Sequence, residues 1–287
     1  MHPIRLSFSP CPNDTFIFDA MVHGKIDTEG LSFEYDMADV EELNRRAFSK
    51  IPEMTKLSFH AWLYLRDDYH LLDSGSALGF GNGPLLISKR EIKPEELTDF
   101  VVAIPGEFTT AHLLLKIAVP GIKRIQIMLF HEIEKAVLEG SVGAGVIIHE
   151  NRFTYEGKGL KKILDLGDYW TNMTGAPIPL GGIVVRKDLG VDLITKLERI
   201  MYRSVSYAMN NPEGPMDFVR AHAQEMNEDV MKKHIHLYVN DYTSGLGSEG
   251  QHAIRVLIER SEQFTTKERS DTIKANPISD ESYVDTP

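Results

Sequence analysis

The stretch Ile4–Gly24, IRLSFSPCPNDTFIFDAMVHG, carries the reading of the fold. Ile4, Leu6 and Phe8 alternate with Arg5 and Ser7, the period-2 pattern of a strand with one buried face. Asn13 and Asp14 are natural caps for a helix carrying Phe16, Ile17, Ala20 and Met21, and Gly24 is placed to end it. Outward from this unit the same grammar repeats. Leu31–Tyr35 alternates again, and Asp39 with Glu42 three positions later resembles a capping box opening a helix on Val40, Leu43 and Ala47. Short strands alternating with capped helices predict an α/β chain whose mostly parallel sheet is covered by helices.

A second α/β block begins near Phe100. It reads as the strand VVAIP (101–105), a helix from about Thr109 with Leu113, Leu114 and Ile117, the strand IQIML (125–129), a helix over His131–Glu139 and the strand GAGVIIH (143–149). From about Val191 the apolar positions recur every three or four residues, which predicts a helical C-terminal segment. The polar stretch from about Thr266 to Pro287 is expected to be loose on the surface. GPLLISKREI (83–92) and GGIVVRKDL (181–189) echo each other on either side of the middle block. They read either as the two strands on which a chain leaves one lobe and returns to it, or as two ordinary buried strands.

At ~150 residues per domain, 287 residues make about two. Forty-two acidic against 31 basic side chains give a net charge of −11, which disfavours nucleic acid and anionic membrane as partners. No apolar run reaches the ~18 residues of a membrane span, and MHPIRLSFSPCPND has none of the marks of an export signal. The single cysteine, Cys11, excludes an intramolecular disulfide framework and suits a reducing compartment. The expected location is the cytoplasm. A homo-oligomer is compatible with the sequence, which does not fix the oligomeric state.

The strongest candidate is His149, at the end of GAGVIIH, where open α/β sheets place their binding crevices. Imidazole is the side chain best matched to taking a proton near neutrality, and the alternative is a solvated loop histidine. Thr109 and Thr110 open a helix, where hydroxyls and first-turn amides suit a carboxylate but also read as plain caps. Lys56, Leu57 and Ser58 stand at another strand-to-helix junction and carry the same two readings. Cys11 between two prolines reads as a nucleophile or as packing. The glycines of LGFGNGPLL have neither dinucleotide nor P-loop spacing and read as a turn. His234 and His236, two apart on a helix, complete no metal pattern, so no metal is expected.

Taken together, SPCPNDTFIFDAMVHGKI, TKLSFHAWLYLRDDY, GSALGFGNGPLL, PGEFTTAHLLL and GVIIHENRFTY resemble the 1,4-dihydroxy-6-naphthoate synthases of the futalosine route to menaquinone, from about Ile4 to at least Val239. The resemblance implies a two-lobed fold like the type II periplasmic solute-binding proteins, with two crossover strands at the hinge. Residues 1–95 and 187–287 would form one lobe and 96–186 the other, with the cleft between them. It implies a carbon–carbon lyase that splits cyclic dehypoxanthine futalosine to 1,4-dihydroxy-6-naphthoate and dihydroxyacetone without a redox cofactor. The family's catalytic histidine falls on His149, and its substrate-binding segments on Lys56, Leu57 and Ser58 and on Thr109, Thr110 and Ala111. Asn13, Asp14 and Asn44 match polar positions facing the cleft. HENRF stands where HESRF is also expected, a difference beyond the histidine.

The competing reading is a non-catalytic solute-binding protein for a small carboxylate, since one scaffold serves capture and catalysis alike. A ligand-sensing module of a regulator would need a further domain for which the sequence has no spare length.

Overall fold

The computed structural model describes residues 2–224 and 227–275. The chain opens with β1 (Ile4–Phe8), α1 (Pro12–Val22), β2 (Phe33–Met37), α2 (Val40–Phe48), β3 (Met54–Ser58), α3 (Phe59–Leu65), β4 (Tyr69–Leu71) and β5 (Ala77–Gly79). It continues through β6 (Leu85–Ser88), β7 (Val102–Ile104), α4 (Thr110–Ala118), β8 (Ile125–Ile127), α5 (Phe130–Glu139), β9 (Ala144–Ile147), β10 (Lys161–Asp165) and α6 (Leu166–Thr174). β11 (Ile178–Arg186) then leads into α7 (Val191–Asn210), α8 (Met216–His222), α9 (Glu228–Tyr238), α10 (Asp241–Ser244) and α11 (Gly247–Ala275).

Two sheets result. The first has the order β2-β1-β3-β11-β4, with β5 also paired to β11; the second has the order β10-β6-β9-β7-β8. β1 runs parallel to β2 and β3, and β7 parallel to β8 and β9. Strand alternation then sorts the side chains. Ile4, Leu6, Phe8, Met54, Ile183 and Val185 pack with α1, α7, α8 and α9, whereas Leu57 and Val184 face α2 and α3. In the second sheet Leu86, Val102, Ile104 and Val146 meet α4, α6 and α11, and Ile87, Ala103 and Ile147 meet α5. Each large apolar side chain so buried contributes roughly 1.5–3 kcal/mol. Ala253, Ile254 and Leu257 of α11 share one cluster with Phe59 of α3 and Leu86 of β6, so the last helix spans both sheets.

Several local expectations shift. The N-cap of α1 is Cys11, with Pro12 at the first helical position, where its fixed φ and missing N–H cost nothing. Asn13 and Asp14 therefore lie inside the first turn, where both are buried, and do not cap it. Asp39 does cap α2, accepting from the Glu41 N–H, while Glu42 reaches forward to Arg46. α11 continues to Ala275, past the point at which a loose tail was expected; residues 276–287 lie outside the described residues.

β6 and β11, the two echoing segments, enter different sheets. The chain changes sheet between Gly79 and Leu85 and returns between Asp165 and Ile178. β6, expected with residues 1–95, is thus in the second sheet, and β11, expected within 96–186, is in the first. Both strands have an almost wholly buried interior, and a run buried on both faces carries no mark of the sheet it will join.

Candidate active site

Parallel pairing brings the carboxyl ends of β1 and β3 to one edge, and those of β7 and β9 to another. The loops leaving these four ends converge on one partly open cavity with several polar side chains in its wall. Asn13, Asp14, Lys56, Leu57, Ser58, Thr109, Thr110, Ala111 and His149 all line it. Asn44 is fully buried behind Ser58, donating to its Oγ (3.1 Å) and accepting from its N–H (2.9 Å). It positions Ser58, whose own O–H is left to donate into the cavity.

His149 opens a 3-10 turn directly after β9 and has φ +58°, a left-handed backbone that a non-glycine residue adopts only under constraint. Asn151 two residues on donates to Glu134 of α5, and Arg152 donates to the Gly83 carbonyl. The imidazole lies edge-to-face against Phe130, with ring centroids 4.8 Å apart, and the Cys11 sulfur is 3.4 Å from its Nδ1. The ring keeps a partly open face yet is crowded by protein. Burial lowers its pKa to about 4, with Asp14 pulling upward and Lys56 pushing further down. It is neutral at pH 7 and so able to accept a proton.

A second histidine, His234 of α9, lies nearly parallel to His149 with centroids 6.1 Å apart. Asn13 Nδ2 donates to Asp14 Oδ1 (2.8 Å), since a carboxylate only accepts. Asn13 Oδ1 therefore turns to His234 Nε2 at 2.9 Å and places the His234 proton on Nε2. Burial, with His149 and Lys56 nearby, holds its pKa well below the ordinary value.

The groups with which the cavity could hold an anion are distributed. Lys56 shares its strand face with Met54, and its Nζ lies 3.0 Å from Asp14 Oδ1 but has no hydrogen-bond partner among the described residues, which leaves its N–H donors to a ligand. Asp14 Oδ2 is held by the Ser9 hydroxyl at 2.7 Å. The threonine hydroxyls are otherwise engaged. Thr109 caps α4 by accepting from the His112 N–H and donates to the Gly106 carbonyl, and Thr110 donates to the Leu180 carbonyl of β11. What this loop offers a carboxylate is its first-turn amides and the positive helix end.

Asn82, His234, Tyr238 and Ser9 also line the cavity. None was legible as a site residue, because each is brought there by a separate element; the small polar residue among glycines at 79–83 was the one local signal.

A family model described as menaquinone biosynthesis matches residues 4–263. The chain is 44% identical over 262 residues to a 1,4-dihydroxy-6-naphthoate synthase of Thermus thermophilus, covering 91% of this chain and 95% of that protein. It is 41% identical over 263 residues to one of Streptomyces coelicolor, covering 90% and 92%. The crystal structure of an Archaeoglobus fulgidus protein superposes with a TM-score of 0.86 at 38% identity, covering 91% of this chain and 97% of that one. A Candida albicans protein described as having the generic periplasmic binding protein fold gives 0.66 at 13% identity, covering 98% and 92%, a likeness of fold alone. The architecture is therefore the two-lobed periplasmic-binding-protein type, and the chain belongs to the menaquinone-biosynthesis family that includes the 1,4-dihydroxy-6-naphthoate synthases.

Proposed function

We propose that this enzyme is a carbon–carbon lyase that cleaves cyclic dehypoxanthine futalosine to 1,4-dihydroxy-6-naphthoate and dihydroxyacetone, with His149 as general base. The observation that carries the reading is a neutral imidazole held in a left-handed turn at the wall of a cavity it shares with Asp14, Lys56 and Ser58. Cleaving a carbon framework beside a carbonyl needs a base for one proton and donors for the developing oxyanion, and formation of an aromatic ring supplies driving force. A positioned histidine typically contributes ~10²- to 10⁴-fold. An imidazole with so low a pKa is fully available at pH 7, and an anionic substrate beside it raises its basicity.

The substrate carboxylate is assigned to Lys56, the Ser58 hydroxyl and the amides of Thr110 and Ala111, and the lobes close over it to exclude water. Contacts between the two sides of the cleft support closure: Glu41 of α2 accepts from the Phe108 N–H, and Arg45 reaches Glu107. A reduced Cys11 thiol beside the base suits a cytoplasmic location.

The test is His149→Asn assayed with cyclic dehypoxanthine futalosine. Asparagine tolerates the left-handed backbone, so the variant folds, and its turnover is expected to drop at least 100-fold. Turnover at the native rate overturns the base assignment. Mass spectrometry of wild-type incubations separates catalysis from capture, because a mere binder returns its ligand unchanged.

A further inference from the structure

Asn82 lies on the Phe80–Pro84 segment that carries the chain from the first sheet to the second. It lines the cavity and is 1% exposed, yet among the described residues neither Oδ1 nor Nδ2 of its amide has a hydrogen-bond partner. Such a burial is unfavourable twice over, since one donor and one acceptor have both given up water. The amide is also firmly seated. Its Nδ2 packs so closely on Gly79 that a Cβ there would lie 3.0 Å away, and the neighbouring Asn240 amide is committed to the Leu78 carbonyl and the Tyr242 N–H. On the next residue, the Gly83 carbonyl accepts from Arg152, in the turn that His149 opens.

We propose that Asn82 is a substrate-binding residue, its amide pairing with an alcohol group of the ligand. This inference rests on the proposed function and deepens it. A hydroxyl both donates and accepts, so it can answer Oδ1 and Nδ2 together, whereas a carboxylate leaves Oδ1 facing a like partial charge and an ammonium leaves Nδ2 unmet. The cavity's cation and helix-end amides already provide for the carboxylate, which leaves the amide to read the hydroxyl-bearing part of the molecule. Because Asn82 sits on the crossover tied to the His149 turn, a hydroxyl seated there also fixes the reacting portion relative to the base.

The experiment measures binding of cyclic dehypoxanthine futalosine by calorimetry in the full-length His149→Asn protein, with and without Asn82→Leu or Asn82→Ala, and the melting temperature of each without ligand. Both Asn82 substitutions are expected to weaken binding about 10- to 100-fold, the scale of two neutral hydrogen bonds. The unliganded melting temperature should hold or, for Asn82→Leu, rise, because an unpaired buried amide has been removed. Unchanged affinity in either variant, or a loss of affinity accompanied by a fall in melting temperature in both, overturns the proposal. Failure of the Asn82-intact protein to bind this compound would instead count against the substrate assignment itself.

Discussion

Lys56 Nζ lies 3.0 Å from Asp14 Oδ1, an ion pair in which the lysine side chain is 8% exposed and the aspartate 1%. Strand β3 and the first turn of α1 thus meet through opposite charges in the wall of the cavity. Removing one partner of such a pair leaves a buried charge uncompensated, which typically costs about 3–5 kcal/mol. Lys56→Met should therefore lower stability on that scale in urea titrations. Adding Asp14→Asn should recover most of the stability without recovering affinity for the naphthoate product. Recovery of both would remove Lys56 from the carboxylate site.

The pH dependence follows from the histidines. His149 is lowered from 6.5 to about 4, and His234 is displaced the same way. Between those values the unfolded chain binds protons that the native protein does not. Their contribution to stability is thus full above pH 6.5 and lost as the pH falls toward 4. If His149 is the base, kcat/KM of the free enzyme should show no acid limb from it until the pH nears 4. A limb centred at 6.5 would show an imidazole in ordinary solvent contact.

Thr110 donates its hydroxyl to the Leu180 carbonyl at 2.7 Å, linking α4 to β11. Thr110→Val is expected to lose about 1–2 kcal/mol of stability with only a small change in product affinity, whereas Thr110→Ser keeps both. Chemical denaturation and calorimetry read the two effects separately. A hundredfold loss of affinity at unchanged stability would mean that the hydroxyl turns to the ligand.

Glu41 Oε2 accepts from the Phe108 N–H at 3.0 Å, and burial raises its carboxyl to about 7 against the pull of that amide and of Arg45. A carboxyl raised on folding supports stability below pH 4.5 and loses that support as the pH climbs through 7. Glu41→Gln stays neutral throughout, so its melting temperature relative to the unsubstituted protein should improve from pH 5 to pH 8. Gly106 packs on the same carboxylate, with a Cβ there falling 2.4 Å from Oε2. Gly106→Ala should weaken ligand binding by holding the two sides of the cleft apart, and an unaltered Kd would argue that closure does not pass through this contact.

Much of this was legible locally. The alternation of Ile4, Leu6 and Phe8, the Thr109 cap and the emergence of His149 from an apolar strand are short-range signals, and the structure reproduces those elements. Other features depend on chain segments far apart. Asn13 reads as a cap until Pro12 takes the first helical position and His234, 221 residues away, supplies its partner. Asn44 reads as a cleft residue until Ser58 occupies both ends of its amide. The sheet joined by β6 is invisible because Leu85–Ser88 is buried on both faces.

The left-handed backbone at His149 is a local cost that its surroundings must offset. Glycine would relax that kink but would also empty the space in which the imidazole packs against Phe130 and Cys11, so the two effects on heat resistance oppose each other. Engineers wanting a hardier catalyst would do better to leave this bend alone and reinforce its props, Glu134 and Arg152.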